Sequence, residues 1–161
     1  MSFRNAVELA AAPIQGACRI GKGALARKHA QQIECDRPDG ITGSIDLDST
    51  LQTNPRYARL PRWDYGLGYR SDKGREVAVW VEVHTASTNE VGAVLSKLAW
   101  LKQFLRSECQ ELWELTGKTR EHCDPFVWIA SGAVHINRNS PQARRMSAAA
   151  LSWPRSRLRL R

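Results

Sequence analysis

The chain has 161 residues, a net charge of +8, and 42% hydrophobic and 25% charged residues. This length fits one domain with a tail at most, and the composition excludes a wholly disordered chain and collagen-like or solenoid architectures. The longest uncharged apolar run, around Val77 to Val81, is far too short to cross a bilayer, and the opening MSFRNAVELAAAP, with Arg4 and Glu8 about a short apolar stretch, makes a poor signal peptide. A cytoplasmic protein with no membrane attachment is expected.

Residues 5–12 favour a short helix, which Pro13 interrupts. A second helix is expected from Gly16 or Gly21 to Cys35, followed by a turn over Arg37, Pro38, Asp39 and Gly40. Ile41 to Leu47 reads as a strand, and residues 49–62, with Pro55 and Pro61, as a loop. From Trp63 to Arg70 the residues alternate. Trp63, Tyr65, Leu67 and Tyr69 take one face; Asp64, Gly66 and Gly68 take the other. Asp72, Lys73 and Gly74 make a tight turn into the clearest strand, Glu76 to Thr85. There Val77, Val79, Val81 and Val83 oppose Ala78, Trp80, Glu82 and His84. These two strands form a β-hairpin.

Ser87 and Glu90 have the spacing of a capping box, and the apolar residues Val91, Val94, Leu95, Leu98, Leu101, Leu105 and Leu112 continue it as one long helix with a stop at Gly117–Lys118. Phe126 to Ala130 is a short strand buried on both faces, and Val134 to Ile136 is a further short strand. Ser140 and Pro141 open a helix through Ala150, and Pro154 ends that region. The order of elements gives one α/β (α+β) domain over residues 1–154, with a central mixed sheet flanked by helices, and a basic tail or edge strand over 155–161.

The charge is concentrated in that last part. From Arg138 onward there are seven arginines and no acid, which leaves 17 of the 24 basic residues against 16 acids in the rest. Arg155, Arg157, Arg159 and Arg161 are candidates for binding nucleic-acid phosphates, since guanidinium groups pair with phosphate in planar, bidentate geometry. Residues 157–161 also alternate as a half-buried edge strand does, with charge on its open face, and the two readings are compatible.

The segment from Trp63 to Leu105 carries the candidate chemistry. The hairpin brings Asp64 beside Glu82, and His84 projects from the same face two residues on. A Glu within VAVWVEVHTA lies among residues of a buried strand, where a charge needs a partner or a metal. The alternative is a structural ion pair or hydrogen bond. Two carboxylates and a third polar group on one face offer hard oxygen ligands for Mg²⁺, which lowers the pKa of bound water and stabilises a phosphoryl transition state.

Helix, strand, hairpin with Asp, strand with Glu-x-Lys, helix, strand is the layout of the PD-(D/E)XK nuclease-like superfamily, and residues 20–131 resemble it in element order and in two acids. The resemblance implies a three-layer, restriction-endonuclease-like fold. It implies Asp64 and Glu82 as ligands of Mg²⁺, the Val83 carbonyl as another, and Glu34 as the acid that some members carry on the preceding helix. His84 stands where the family has lysine, and Pro61 lies three residues before Asp64 instead of beside it. Lys97, two turns into the following helix, is the candidate for a migrated lysine. His84 and Lys97 are thus the candidate catalytic groups.

Other motifs carry less. Asp46 and Asp48 form a second acid pair that also reads as turn residues capping a strand end. GACRIGKG over 16–23 has the spacing of a phosphate-binding loop but ends in Gly23, where that loop needs Ser or Thr, and no strand precedes it. Cys18, Cys35, Cys109 and Cys123 form no CxxC pair and read as reduced thiols. His29, His122 and His135 are isolated. Trp80, Trp100, Trp113 and Trp128 belong to the core, and Trp63 and Trp153, each near an arginine, are core or stacking residues. The expected activity is metal-dependent hydrolysis of DNA or RNA phosphodiesters. The alternative is a non-catalytic nucleic-acid-binding or protein-interaction module of the same fold, with a protein partner.

Overall fold

Four valines on one side of a strand and Ala78, Trp80, Glu82 and His84 on the other require cover on both faces. The computed structural model, which describes residues 1–161, supplies it. The chain forms α1 (Phe3–Leu9), β1 (Arg19–Ile20), α2 (Arg27–Ala30), β2 (Ile33–Cys35), β3 (Ile41–Asp46) and α3 (Leu47–Gln52). It continues through β4 (Tyr65–Arg70), β5 (Glu76–His84), a 3-10 turn over Thr88–Glu90, α4 (Val91–Glu108) and α5 (Gln110–Thr119). It ends with β6 (Phe126–Ala130), α6 (Pro141–Ala148) and β7 (Leu158–Leu160).

The central sheet has the order β1-β3-β4-β5-β6. It is mixed: β3, β4 and β5 pair antiparallel, and the crossover through α4 and α5 brings β6 back parallel to β5. Ala78, Trp80, Phe126 and Trp128 face the helices and form the larger core with Phe3 and Val7 of α1, Val94 and Leu101 of α4, and Leu112 and Leu115 of α5. The valine face packs under a second, two-stranded sheet in which β7 runs parallel to β2. Val77, Val79 and Val81 meet Tyr65, Leu67 and Tyr69 there, with Ile33, Leu158 and Leu160 above them. The protein is therefore an α+β fold of three layers: helices, a five-stranded mixed sheet, and a β2–β7 ribbon.

Five sequence expectations change, the first being Trp63, which lies before the strand and packs in the helix-side core instead of sharing a face with Tyr65, Leu67 and Tyr69. The helix expected to end at Cys35 is instead β1, a single turn of α2, and β2. Gly16 (φ 80°) and Gly21 (φ 56°) take left-handed turns there, and Ala24 N–H donates to Ser44 Oγ at 3.0 Å instead of continuing a helix. The expected loop at 49–62 begins as α3, because Asp46 caps it by accepting from Ser49 N–H at 2.9 Å. The long helix breaks at Cys109 (φ −142°, ψ 61°), and Gly117 lies inside α5 instead of ending it. Val134 to Ile136 is no strand; a lone bridge joins Ser87 and His135.

The break at Cys109 lets α5 lie on β5. Trp80 Nε1 donates to Thr116 Oγ1 at 2.8 Å, and the Thr119 hydroxyl donates to Ala78 O at 2.6 Å. The fully buried Trp80 also lies over Gly66, where a Cβ would come within 2.6 Å of its ring. Gly66→Ala should therefore destabilise the fold by about 1–3 kcal/mol through overpacking, read as a lower urea midpoint with an unchanged slope.

Candidate functional site

The register of the hairpin builds the site. Tyr65 pairs with Val81, so one step further Asp64 lies opposite Glu82. The two are tied through the backbone: Asp64 N–H donates to Glu82 Oε2 at 3.1 Å, and Val83 N–H donates to Asp64 Oδ2 at 3.0 Å. Asp64 is fixed from the other side as well, since Leu47 N–H and Asp48 N–H at the start of α3 reach its carbonyl at 2.8 and 3.3 Å.

Glu82 is 0% exposed. It points to the helical layer, where Lys97 of α4 donates from Nζ to Glu82 Oε1. His84 lies on the same face, with Nδ1 3.7 Å from Glu82 Oε1 and Nε2 2.7 Å from Glu90 Oε2. Lys97 and His84 keep 22% and 27% of their side chains exposed, so this cluster opens to solvent beyond the buried carboxylate.

Burial pushes the Glu82 carboxyl up from 4.5 to about 8, and the neighbouring Asp64 charge adds to the rise; the Lys97 ammonium and the Asp64 N–H only partly oppose it. Burial also raises Asp64, against the Val83 N–H and Lys97. The donors suit a divalent cation in kind. Both carboxylates offer hard oxygens, and Asp64 Oδ1 accepts no hydrogen bond from the protein. No three His, Cys, Asp or Glu side chains converge to hold a metal by themselves. Mg²⁺ at phosphate sites commonly uses one or two carboxylates with water and phosphate completing the shell.

Asp64, Glu82, His84 and Lys97 are thus brought together. Glu34 is not: it lies on β2 in the ribbon layer and pairs with Arg157 at 2.6 Å. Its expected helix does not exist. The contact that Val83 makes with the acids is through its amide N–H. Asp46 caps α3, and Asp48 pairs with Arg62 Nε at 2.9 Å. Lys22 of the glycine-rich segment is spent on the carbonyls of Ala30 and Ile33, each at 2.9 Å. The four cysteines are free thiols.

The tail arginines run away from the carboxylates. Arg155 bridges to Ile129, the register partner of Val83, while the Arg161 carbonyl accepts from the Tyr69 hydroxyl, four residues along β4 from Tyr65. Three of them meet acids: Arg155 with Asp124 at 3.2 Å, Arg157 with Glu34 at 2.6 Å and Arg159 with Asp36 at 2.7 Å.

Glu90 escaped the sequence reading. Its spacing from Ser87 fits a capping box, but Ser87 makes no side-chain cap and the Glu90 carboxylate is turned to His84. His29 escaped too; its Nδ1 lies 2.8 Å from the hydroxyl of Tyr65, the neighbour of Asp64. No spacing rule joins residues so far apart in sequence.

The larger surface clefts include neither carboxylate. One of about 570 Å³ lies at the other end of the sheet, between Tyr69, Asp72, Lys73, His122, Cys123 and Arg161. Its thiol, Cys123, is pushed up to about 11 by burial, which keeps it protonated and a poor nucleophile. No helix is long and apolar enough to cross a membrane. No family model, curated protein or solved structure matches the chain.

The raised Glu82 carboxyl has a consequence for stability. Between pH 4.5 and about 8 the folded protein holds a proton that the unfolded chain has released. This contribution is complete below 4.5 and is lost as pH rises through 8. Urea denaturation at pH 5, 7 and 9 should show wild type losing stability relative to Glu82→Gln as pH rises. A constant difference would mean that Glu82 is ionised throughout.

Proposed function

We propose that the protein is a metal-dependent nuclease-like protein of the PD-(D/E)XK kind, acting on phosphodiesters of DNA or RNA. The observation that carries this reading is the meeting of Lys97 with Glu82. The family layout asks for a lysine beside the second acid; this chain has His84 at that position, and α4 delivers an ammonium to Glu82 Oε1 instead. The sheet order, with an antiparallel β3-β4-β5 meander and a parallel β6 after the helices, agrees with the same layout.

In this reading Asp64 and Glu82 would hold Mg²⁺, which when bound would supply charge stabilisation at phosphorus and a more acidic water. Lys97, fixed by Glu82, orients the attacking water or a phosphate oxygen. His84, anchored through Nε2 by Glu90, leaves Nδ1 toward the carboxylate as a place to hold a proton.

A second reading rests on a specific observation: both Glu82 oxygens already accept from protein donors, Lys97 and the Asp64 amide. A site satisfied in this way suits a non-catalytic nucleic-acid-binding module, or a protein-interaction module of the same fold.

Calorimetry with Mg²⁺ and Mn²⁺ and cleavage of labelled single- and double-stranded oligonucleotides separate the two. Catalysis predicts metal-dependent cleavage that Asp64→Asn and Glu82→Gln abolish together with metal binding, while circular dichroism stays unchanged. Lys97→Met should retain metal and lose roughly 10²–10⁴-fold in rate, the range of a positioned proton-transfer or orienting group. Cleavage that survives both carboxylate changes overturns the proposal. Nucleic-acid binding with neither metal binding nor cleavage selects the second reading.

A further inference from the structure

Arg37 is the one charged residue whose buried donors meet nothing. Its Nε and Nη2 are closed off from solvent, and no protein acceptor reaches them. The other orphaned buried atoms belong to the neutral side chains of Thr42, Trp63 and Ser71. A guanidinium cannot shed its proton as a buried carboxyl or amine exchanges one, so the mismatch is not relieved by a change of charge. Leaving donors of a charged group buried and unpaired is costly. The acids that flank Arg37 in sequence do not help. Asp36 is taken by Arg159 at 2.7 Å, Asp39 lies 3.7 Å from Arg70, and neither pairs with Arg37.

The two orphaned atoms are also neighbours. Nε and Nη2 form one edge of the guanidinium, the fork that takes two oxygens of a single oxyanion. Arg37 lines a cleft of about 220 Å³ with Gly21, Lys22, Cys35, Pro38 and Ile41. Lys22 is fixed there, since Nζ donates to Ala30 O and Ile33 O, each at 2.9 Å, and one ammonium hydrogen is left over. No Asp or Glu lines the cleft. Two cationic side chains thus share one small opening, one from the glycine-rich segment and one from the turn after β2. Its volume falls below the roughly 300–1,000 Å³ of sites for drug-sized ligands, which suits a small ion.

We propose that the cleft between Lys22 and Arg37 binds a phosphate dianion, either the free ion or the end of a phosphate monoester. Nε and Nη2 of Arg37 donate to two of its oxygens, and Lys22 Nζ donates to a third. A rotamer change of Arg37, of the kind common on binding, turns the fork to the ion. A dianion offsets both cations, which a single carboxylate does not. The cleft shares no residue with the Asp64–Glu82 cluster, and the proposal is independent of the nuclease-like reading.

The test is urea denaturation of the full-length protein with inorganic phosphate, glycerol phosphate or acetate, at constant pH and ionic strength. The wild-type midpoint should rise and saturate with phosphate, as for any ligand that binds only the folded state, and should not respond to acetate. Phosphate also stabilises proteins by exclusion from their surface, but that effect does not saturate and is common to wild type and variants. Arg37→Met should abolish the saturable response and leave the ligand-free midpoint equal or higher, because it removes an unpaired buried charge. Arg37→Lys keeps the charge without the fork and should bind about tenfold more weakly or worse, the loss of one charge-assisted hydrogen bond. Phosphate should also slow alkylation of Cys35 by a neutral reagent in wild type and not in Arg37→Met, since Cys35 lines the cleft. A response to inorganic phosphate alone assigns the free ion; an equal response to glycerol phosphate assigns the monoester end. Wild type with no saturable response, or Arg37→Met responding as wild type does, overturns the proposal.

Discussion

A fully buried carboxylate needs donors, and those of Glu82 come from two separate elements. One is the backbone of Asp64, which requires the hairpin register that sets Tyr65 against Val81. The other is the Lys97 ammonium, which requires α4 to start soon after β5 and cross its end. A one-residue slip of the hairpin would turn the valines to the helices and Trp80 to the ribbon, and it would strand Glu82 in the wrong layer. The polar contact and the two apolar faces therefore specify the same register.

This dependence runs through both cores. Trp80 and Ala78 of β5 are bound by Thr116 and Thr119 of α5, so the helix after the break is tied to the strand that carries Glu82. On the opposite face, Tyr65 packs with the valines while its hydroxyl holds α2. One residue, next in the chain to Asp64, thus links the sheet to the ribbon side, as Lys97 links it to the helices. The carboxylates sit where the three layers share an end.

Much of this was legible in the sequence, for physical reasons. The alternation of four valines against Ala78, Trp80, Glu82 and His84 fixes the strand, both its faces and its hairpin partner, and Asp64 and Glu82 follow from that register. Lys97 was named only through the resemblance, as a lysine moved to the following helix, and α4 brings it to Glu82. The region from Gly16 to Cys35 was not: its alanines favour helix locally, but Ser44, Tyr65 and the partner strand β7 claim its backbone and side chains through contacts distant in sequence. The break at Cys109 was hidden because the apolar residues on either side keep a helical spacing across it. Glu90 followed the capping rule in spacing and broke it in partner, because the nearby His84 imidazole is a competing donor group.

The ribbon has a consequence for how the chain is made. β7 pairs in parallel with β2, and Ile33 lies in register with Leu158. As the polypeptide leaves the ribosome, the hairpin and the helices over its Trp80 face can assemble first. The valine face waits for Leu158 and Leu160 to emerge and seal it. Until then the nascent domain shows an apolar sheet surface and an unpaired strand, the features that recruit chaperones and seed aggregation. A stop codon between residues 149 and 157 would leave the Asp64–Glu82 pair encoded in full on a scaffold with one of its two sides bare.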